Sequence, residues 1–331
     1  MSRRLRFERL EDRLTPAGLD PTFGTDGRVR LPVDQPNSNG FDVVEAVVAL
    51  PDGKVLFAGE AQAADYPDYG AVVGRLNSDG SPDLTFDGDG IALLPGVWYP
   101  GVQLAVLPDG RAVAAGEGWD DAARERVNWV ARLTADGAPD PTFDSDGVLG
   151  LDQPDFLDPP SALGQVTAVA VTPDGRVLLA GEVSRAYEVA GLFYSTSDFG
   201  VLRLTADGKP DETFGPGGLR TVAFDLSAQF NFDRPAALAV LPDGGLLVGG
   251  SATAGTVGGV VTFPPSGTVF AVARLTADGG LDPAFGDGGK QSFDFPGAVT
   301  AELTDIEVMA DGRVVLAGNA NRVLPQIDFP I

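Results

Sequence analysis

The segment "LTADGAPDPTFDSDG" (residues 133–147) decides the fold because it recurs along the chain. Near-copies stand at 76–90, 204–218 and 275–289, and a shorter copy, "LDPTFGTDG", stands at 19–27. Successive full copies are 57 to 71 residues apart, and self-similarity at such a period predicts a repeat architecture. Five acidic turns are compatible with metal loops, a row of catalytic carboxylates or a structural role.

A second motif, "TPDGRVLLAGE" (172–182), places an Asp-Gly pair between two apolar runs. This pattern is a strong hairpin signal because glycine accepts a positive φ. A third motif, "VLRLTADG" (201–208), leads into the acidic turn. Copies of the second motif stand at 50–60, 107–117, 241–251 and 309–319.

Each repeat therefore predicts four short strands, named A to D. In the third repeat, A is 166–171, B is 176–181, C is 200–205 and D is 219–224. Four-stranded antiparallel repeats are typical of the blades of a β-propeller, in which stacking buries both faces of each sheet. We predict an all-β, five-bladed β-propeller over residues 18–331.

The two ends of the chain predict how the ring closes. Residues 28–33 form a candidate D strand, and the sequence ends with an A–B hairpin and a candidate C strand at 322–327. We expect the N-terminal strand to complete the last blade and close the ring. The final segment lacks the R-L-T-A-D-G ending, and Pro325 interrupts the strand, so an incomplete ring or an open stack is the alternative.

The repeats resemble the delta-60 repeat, a family of bacterial surface proteins. The motifs L-D-x-T-F-G-x-D-G and P-D-G-(K/R)-V-L-x-A-G carry this resemblance over nearly all of residues 19–319. The resemblance implies a propeller-like fold and no particular activity.

The first 17 residues resemble the sorting-type segment of many large surface or exported bacterial proteins. The residues that carry this resemblance are Phe7, Glu8, Leu10, Glu11, Asp12, Arg13, Pro16 and Ala17. It implies that residues 1–17 are a targeting-type segment and that the protein is exported, to the cell surface or the extracellular space. A short amphipathic helix docked on the domain is the alternative.

Composition excludes several classes of function. The net charge is −24, so nucleic acid and anionic membranes are repelled. The chain has no cysteine and no histidine, which removes cysteine nucleophiles, Ser–His triads and the usual ligands of zinc and haem. No apolar run reaches about 18 residues, so we expect no membrane insertion. An enzyme with this composition would depend on carboxylates, tyrosine or lysine.

The recurrence of the acidic turn favours a structural role. An aspartate can accept hydrogen bonds from the backbone N–H two residues on, and the phenylalanine that follows can pack between blades. The aspartates are Asp20, Asp83, Asp140, Asp211 and Asp282, and the phenylalanines are Phe23, Phe86, Phe143, Phe214 and Phe285.

Two of the turns carry a second pair of acids. Asp87 with Asp89, and Asp144 with Asp146, are spaced as in calcium loops, but the full ligand set of an EF-hand is missing. We therefore expect no cofactor, with Ca²⁺ at these four aspartates as the alternative.

A further acidic row lies at the end of strand B. Glu60, Glu117 and Glu182 share one repeat position, which Ser251 and Asn319 fill in the other repeats. We expect solvated strand ends, and a half-acidic ring facing the central channel is the alternative.

The loops divide between two faces. The near-constant A–B and C–D turns define the turn face, and the variable B–C and D–A loops define the loop face. Trp129, at the start of strand C, is expected to pack against its own loop. The remaining tryptophans and tyrosines are candidate ligand-binding residues on the loop face: Tyr66, Tyr69, Trp98, Tyr99, Trp119, Tyr187 and Tyr194.

These aromatic residues predict function because amphipathic aromatic side chains on variable loops are typical of binding surfaces. We predict a monomeric, non-catalytic binding or adhesion module with a glycan or protein partner and no catalytic residues. A glycoside hydrolase that uses two carboxylates and a purely structural surface scaffold are the alternatives.

Overall fold

The computed structural model describes residues 18–31, 33, 42–62, 69–94, 101–120, 125–152, 163–189, 192–227, 231–254, 267–309 and 311–321. These residues form eighteen β-strands and a 3-10 turn at Pro216–Gly218, and they contain no α-helix. The targeting-type segment and the predicted C strand at 322–327 lie outside the described residues.

Sixteen of the strands form four blades, each a four-stranded antiparallel sheet in chain order. Blade 1 contains β1 (Asp42–Ala49), β2 (Val55–Gln62), β3 (Tyr69–Leu76) and β4 (Ile91–Leu94). Blade 2 contains β5 (Gln103–Val106), β6 (Ala112–Asp120), β7 (Glu125–Leu133) and β8 (Val148–Asp152). Blade 3 contains β9 (Val166–Val171), β10 (Val177–Val189), β11 (Leu192–Leu204) and β12 (Leu219–Val222). Blade 4 contains β13 (Arg234–Val240), β14 (Leu246–Thr253), β15 (Thr268–Leu275) and β16 (Lys290–Phe293).

The prediction of five blades is wrong. Among the described residues, the fifth repeat contributes the hairpin of β17 (Thr300–Val308) and β18 (Val314–Asn321), which has one parallel bridge to blade 4 between Thr268 and Thr300 and packs Leu303 and Ile306 into a core shared with blade 4. The hairpin forms because its P-D-G-like turn is local, whereas among the described residues no strand C or D pairs with β18. The described chain is thus a β-propeller with four complete blades.

The predicted ring closure by the N-terminal strand is also wrong. Arg28 makes only an isolated bridge to Thr25, and residues 29–31 form no strand. The N-terminal turn instead packs on blade 1, where Gly24 N–H donates to the Asp79 carbonyl at 2.7 Å. Among the described residues, nothing covers the face of β1 that points away from blade 2. The side chain of Val47 on that face is 63% exposed.

The A strands lie innermost. Strands β1, β5, β9, β13 and β17 contact one another in succession, so each blade runs outward from A to D. The hydrophobic core lies between blades rather than within one of them. Phe86, for example, is fully buried in a cluster that contains Leu56 of blade 1 and Leu133 of blade 2.

A bulge near the start of strand A recurs in blades 1, 3 and 4 and in the final hairpin. The pairing with strand B shifts at Glu45, Thr167, Ala236 and Thr304. A bulge leaves one residue out of the ladder and redirects its side chain. The only acid at this position is in blade 1, and it contributes to the site described below.

Blade 3 departs from the prediction in the length of its central strands. Strand B was expected to end at residue 181 and strand C to begin at 200, with a loop between them. Both strands instead have 13 residues and pair along their whole length, from Val177 opposite Leu204 to Val189 opposite Leu192. The loop predicted there is mostly a two-stranded ribbon.

Candidate functional site

The acidic turns join neighbouring blades. In blade 2, Asp140 Oδ1 accepts a hydrogen bond from Thr142 N–H at 3.0 Å, and Oδ2 accepts one from Arg132 Nε at 2.7 Å. Arg132 is 1% exposed, donates through Nη1 to the Ala206 carbonyl of blade 3 at 2.5 Å, and lies 4.8 Å from the centroid of the Phe143 ring. Arg132 therefore links the acidic turn of its own blade to the next blade and also stacks on the Phe143 ring.

The same arrangement recurs in blades 1 and 3. Arg75 Nε bonds Asp83 at 2.6 Å and Arg203 Nε bonds Asp211 at 2.9 Å, and each arginine also donates to an alanine carbonyl of the following blade. The predicted hydrogen bond from the N–H two residues after the aspartate is confirmed in all five turns. Phe86, Phe143 and Phe214 are fully buried, as predicted, whereas Phe23 and Phe285 are half-buried.

The two kinds of turn meet on the turn face. In blades 1 to 3 the basic residue after the P-D-G turn reaches the aspartate of the acidic turn: Lys54 to Asp83 at 2.8 Å, Arg111 to Asp140 at 3.2 Å, and Arg176 to Asp211 at 3.1 Å. Burial alone raises the pKa of Asp140, but hydrogen bonds from Thr142 and Arg111 and the charge of Arg132 outweigh it and lower the pKa to about 2. The carboxylate of Asp140 therefore has a structural role.

The four candidate calcium ligands also serve their turns. Asp89 Oδ1 accepts from Ile91 N–H at 2.9 Å, and Asp146 Oδ1 accepts from Val148 N–H at 3.0 Å. The N–H groups of Asp87 and Asp144 bond carbonyls of the next blade. Within the described part of the chain, no group of three or more acidic side chains could hold a metal ion.

The predicted aromatic residues lie partly outside the described structure. Tyr66, Trp98 and Tyr99 fall in undescribed segments. The backbones of Tyr69, Trp119, Tyr187 and Tyr194 lie near the loop-face ends of strands B and C. The pairing register brings only Tyr187 and Tyr194 directly opposite each other. Trp129 is buried, its indole Nε1 donates to the Glu117 carbonyl of strand B at 3.1 Å, and its ring belongs to the core shared by blades 1 and 2.

The ribbon of blade 3 projects from the loop face. Past the shared glutamate position, β10 continues from Glu182 to Val189, whereas β2 ends at Gln62 and β6 ends at Asp120. A strand advances about 3.3 Å per residue, so the ribbon extends roughly 15 Å beyond the ends of β2 and β6. It carries Tyr187 and Tyr194 near its tip.

Two of the three glutamates in the acidic row at the end of strand B are buried, contrary to the expectation of solvated strand ends. Glu117 and Glu60 are only 5% and 9% exposed, whereas the side chain of Glu182 is 26% exposed. Glu117 Oε1 pairs with Arg126 Nη1 at 3.0 Å, and Glu182 Oε1 pairs with Arg234 Nε at 2.6 Å.

Glu60 differs from the other members of the row. Its Oε1 is buried and has no hydrogen-bond partner among the described residues. Burial, together with the negative charge of Glu45, raises the pKa of Glu60 to about 7. Near neutral pH this carboxyl therefore exchanges between its protonated and ionised forms.

The sequence prediction missed Glu45. Its carboxylate accepts two backbone hydrogen bonds from the start of blade 2, from Gly101 N–H at 2.7 Å and from Val102 N–H at 2.5 Å. Glu45 occupies the bulge position that holds Thr167, Ala236 or Thr304 in other repeats. An alignment of the A strands would have shown it as the one acid at that position.

A second acidic cluster between blades 3 and 4 was also missed. Asp233 is fully buried and accepts hydrogen bonds from Phe224 N–H at 2.9 Å and Thr253 N–H at 3.3 Å. Burial, reinforced by Asp198 and Asp225, outweighs these bonds and raises the pKa of Asp233 to about 6. Because both oxygens are occupied, Asp233 fastens the D–A loop to blade 4.

A cleft of about 370 Å³ opens on the loop face beside blade 4. Its lining includes Thr268, Ser292 and Asp294 together with Leu226 and Val269. A surface of hydroxyl groups, one carboxylate and small apolar groups can contact a polar ligand through hydrogen bonds.

Comparison with known proteins agrees with this fold. Four segments, 50–86, 107–143, 189–214 and 241–285, match the model of a domain of unknown function (DUF5122) beta-propeller. Each match lies within one repeat and ends inside or just after its acidic turn. Curated proteins give no match.

Two solved structures are similar at low superposition scores. One, described as a gluconolactonase, has 17% identity and a TM-score of 0.31 over 62% of this chain, and this chain spans about half of that protein (54%). The other, the GH43 endo-arabinanase from Bacillus licheniformis, has 13% identity and a TM-score of 0.33, with 76% of this chain and 75% of that chain covered.

No helix among the described residues is long and apolar enough to cross a membrane. The strand topology and the four matching segments agree on one architecture. The chain is a β-propeller repeat protein.

Proposed function

We propose that this protein is an exported, non-catalytic binding module that engages a glycan or protein partner through its loop face. The observation that carries the proposal is the ribbon of blade 3, which extends beyond the blades with Tyr187 opposite Tyr194. Export rests on the resemblance of residues 1–17 to a sorting-type segment.

The blade architecture does not require this ribbon. Strand β9 pairs with β10 only as far as Gly181, and β12 pairs with β11 only as far as Phe199. Just beyond these points Glu182 still accepts from Gly164 N–H and Ser197 bridges Phe232. Among the described residues, the ribbon past Glu182 and Ser197 is paired only strand to strand, and isolated two-stranded ribbons are marginally stable in water. A projecting element with this cost is typical of a contact with another molecule.

Tyrosine is suited to such a contact. Its ring offers apolar area and its hydroxyl a hydrogen bond, which is why tyrosine is enriched in interfaces and their hot spots. The hydroxyl-lined cleft beside blade 4 lies on the same face, so a ligand on this face has both aromatic and hydroxyl groups available.

The test is a glycan-array and surface-protein capture screen with the full chain. The double variant Tyr187→Ser/Tyr194→Ser is expected to lose at least tenfold in affinity for any captured ligand, while the matched control Tyr187→Phe/Tyr194→Phe keeps most of it. Both variants should keep the β-rich circular dichroism spectrum. Unchanged binding by the serine variant would refute the ribbon as the contact.

One observation favours the glycoside hydrolase alternative. Glu60, with its pKa raised to about 7, lies near Glu45, which accepts two backbone hydrogen bonds. One protonated and one ionised carboxyl are the groups that glycoside hydrolysis uses. Each glycan hit is therefore also examined for cleavage, and cleavage that disappears in Glu60→Gln would replace the non-catalytic proposal.

A further inference from the structure

One repeat position shows the same chemistry in two blades and lacks it in a third. In blades 2 and 3 the glutamate at the end of strand B binds a guanidinium group: Glu117 binds Arg126 and Glu182 binds Arg234. In blade 1, Glu60 is buried to nearly the same extent as Glu117, but its Oε1 has no hydrogen-bond partner among the described residues.

The sequence explains the missing partner. Arg126 is nine residues after Glu117, and the residue nine after Glu60 is Tyr69. The two positions are equivalent in register, because Arg126 pairs with Trp119 as Tyr69 pairs with Gln62. Blade 1 thus has an uncharged residue where blade 2 has its arginine.

The second kind of arginine partner is missing as well. Arg234 is nine residues before Asp243 of the next P-D-G turn, and the residue nine before Asp109 is Pro100. The segments 63–68 and 95–100 contain no lysine or arginine. For Glu60, the positions equivalent to Arg126 and Arg234 therefore hold Tyr69 and Pro100, and neither is basic.

Glu45 adds negative charge near the unpartnered carboxyl of Glu60. Two backbone N–H groups of blade 2 hold its carboxylate at the inner end of blade 1, and its charge acts on Glu60. Burying a carboxyl without a partner costs free energy, and a positive group placed against it recovers hydrogen bonding and Coulomb attraction.

We propose that Glu60, supported by Glu45, receives a lysine or arginine side chain from a protein partner that docks on the loop face. The inference rests on the proposed function and narrows its partner to a protein with a basic contact residue. A metal ion fits less well, since calcium takes six to eight oxygen ligands and the described residues contain no group of three acidic side chains that could hold one. The net charge of −24 attracts basic partners at long range.

The experiment is an NMR titration of the full chain, labelled with ¹⁵N, with N-acetyl-arginine methylamide. Its matched control is N-acetyl-citrulline methylamide, which has nearly the same shape and no charge. We expect saturable shifts of the Gly59 and Ala61 amides with the arginine probe and at least tenfold weaker binding of the citrulline probe. Because the pKa of Glu60 is raised to about 7, affinity should rise about tenfold from pH 6 to pH 8 as the carboxyl ionises.

Four variants locate the site. Glu60→Gln should weaken binding of the arginine probe at least tenfold. Glu117→Gln should leave probe binding unchanged, because Glu117 is already paired with Arg126. Tyr69→Arg should abolish probe binding by supplying the arginine that blade 1 lacks, and Tyr69→Gln should not. Thermal melts of all four variants confirm that each is folded.

Three results would overturn the inference: equal binding of the two probes, unchanged binding by Glu60→Gln, or shifts of Gly59 and Ala61 with calcium chloride but not with the arginine probe. The proposed function fails separately. Suppose that the tyrosine double variant no longer binds a captured partner while Glu60→Gln still binds it. The proposed binding face would then be supported, and the proposed binding of a basic side chain at Glu60 would be refuted.

Discussion

The turn face and the loop face bury the same kind of side chain with opposite electrostatic results. On the turn face, Asp140 lies against Arg132 and Arg111 and its pKa falls to about 2. On the loop face, burial dominates and the pKa rises to about 7 for Glu60 and about 6 for Asp233. The number of acids near a face therefore says little about its role. The partners of each carboxyl decide whether it stabilises the fold or remains available to a ligand.

The strongest test of this comparison removes an arginine from the turn face. Arg132→Met should lower the free energy of unfolding by about 3 to 5 kcal/mol, because Asp140 would stay buried with one partner fewer. Urea denaturation followed by circular dichroism measures this loss. The control is Arg313→Met: Arg313 is mostly exposed and, among the described residues, pairs with the nearby Asp311, so its replacement should lower the free energy of unfolding by about 0.5 kcal/mol or less. Equal effects would show that the blade-joining contacts add nothing.

The loop face should respond in the opposite direction. The pKa of Glu60 in the folded state lies above its unfolded value of 4.5, so folding loses stability as pH rises from about 4.5 to 7. Glu60→Gln removes this loss and should stabilise the protein by about 2 kcal/mol at pH 8, with little change at pH 4. The control Glu117→Gln, which breaks the pair with Arg126, should show no gain at pH 8. Urea denaturation at both pH values measures the difference, and a gain that is the same at both would contradict the assignment.

A smaller effect is expected for a turn-face carboxyl. The folded-state pKa of Asp140 is lowered to about 2 from 3.8, so its contribution is complete above pH 4 and is lost as pH falls toward 2. Asp140→Asn should therefore cost about 1.5 kcal/mol at pH 6, and the difference from the unmodified protein should shrink near pH 2. Thermal unfolding across this pH range would show the convergence. A constant difference would mean that the charge of Asp140 contributes nothing.

The smallest effect concerns calcium. Asp89 and Asp146 already close their own turns, so replacing EDTA with millimolar CaCl₂ should change the melting temperature by about 1 °C or less. The variant Asp89→Asn/Asp146→Asn is the control. A rise of several degrees in the unmodified protein that is absent from the variant would establish a metal site on the turn face.

The local features of the turn face were predicted from the sequence. The Asp-Gly hairpins, the bond from each repeated aspartate to the N–H two residues on, and the packing of Phe86, Phe143 and Phe214 between blades all follow from short segments. Such contacts close loops of a few residues and depend little on the rest of the chain.

The candidate site was predicted less well. Tyr187 and Tyr194 were identified as candidates, but their direct pairing depends on a ribbon that the sequence prediction treated as a loop. Glu60 was identified as a member of the acidic row, but it was expected to be exposed and is instead buried. Glu45 and Asp233 were missed because their roles depend on hydrogen bonds to another repeat or another blade.

The sequence by itself determined the all-β repeat, the four-strand blade and the chemistry of each turn, because these depend on spacing and on contacts within one repeat. Only the tertiary structure decided that four blades are complete, that Glu60 and Glu117 are buried, and that Oε1 of Glu60 has no hydrogen-bond partner among the described residues. Those properties come from stacking and pairing between segments far apart in the chain, where the entropy of closing long loops competes with burial.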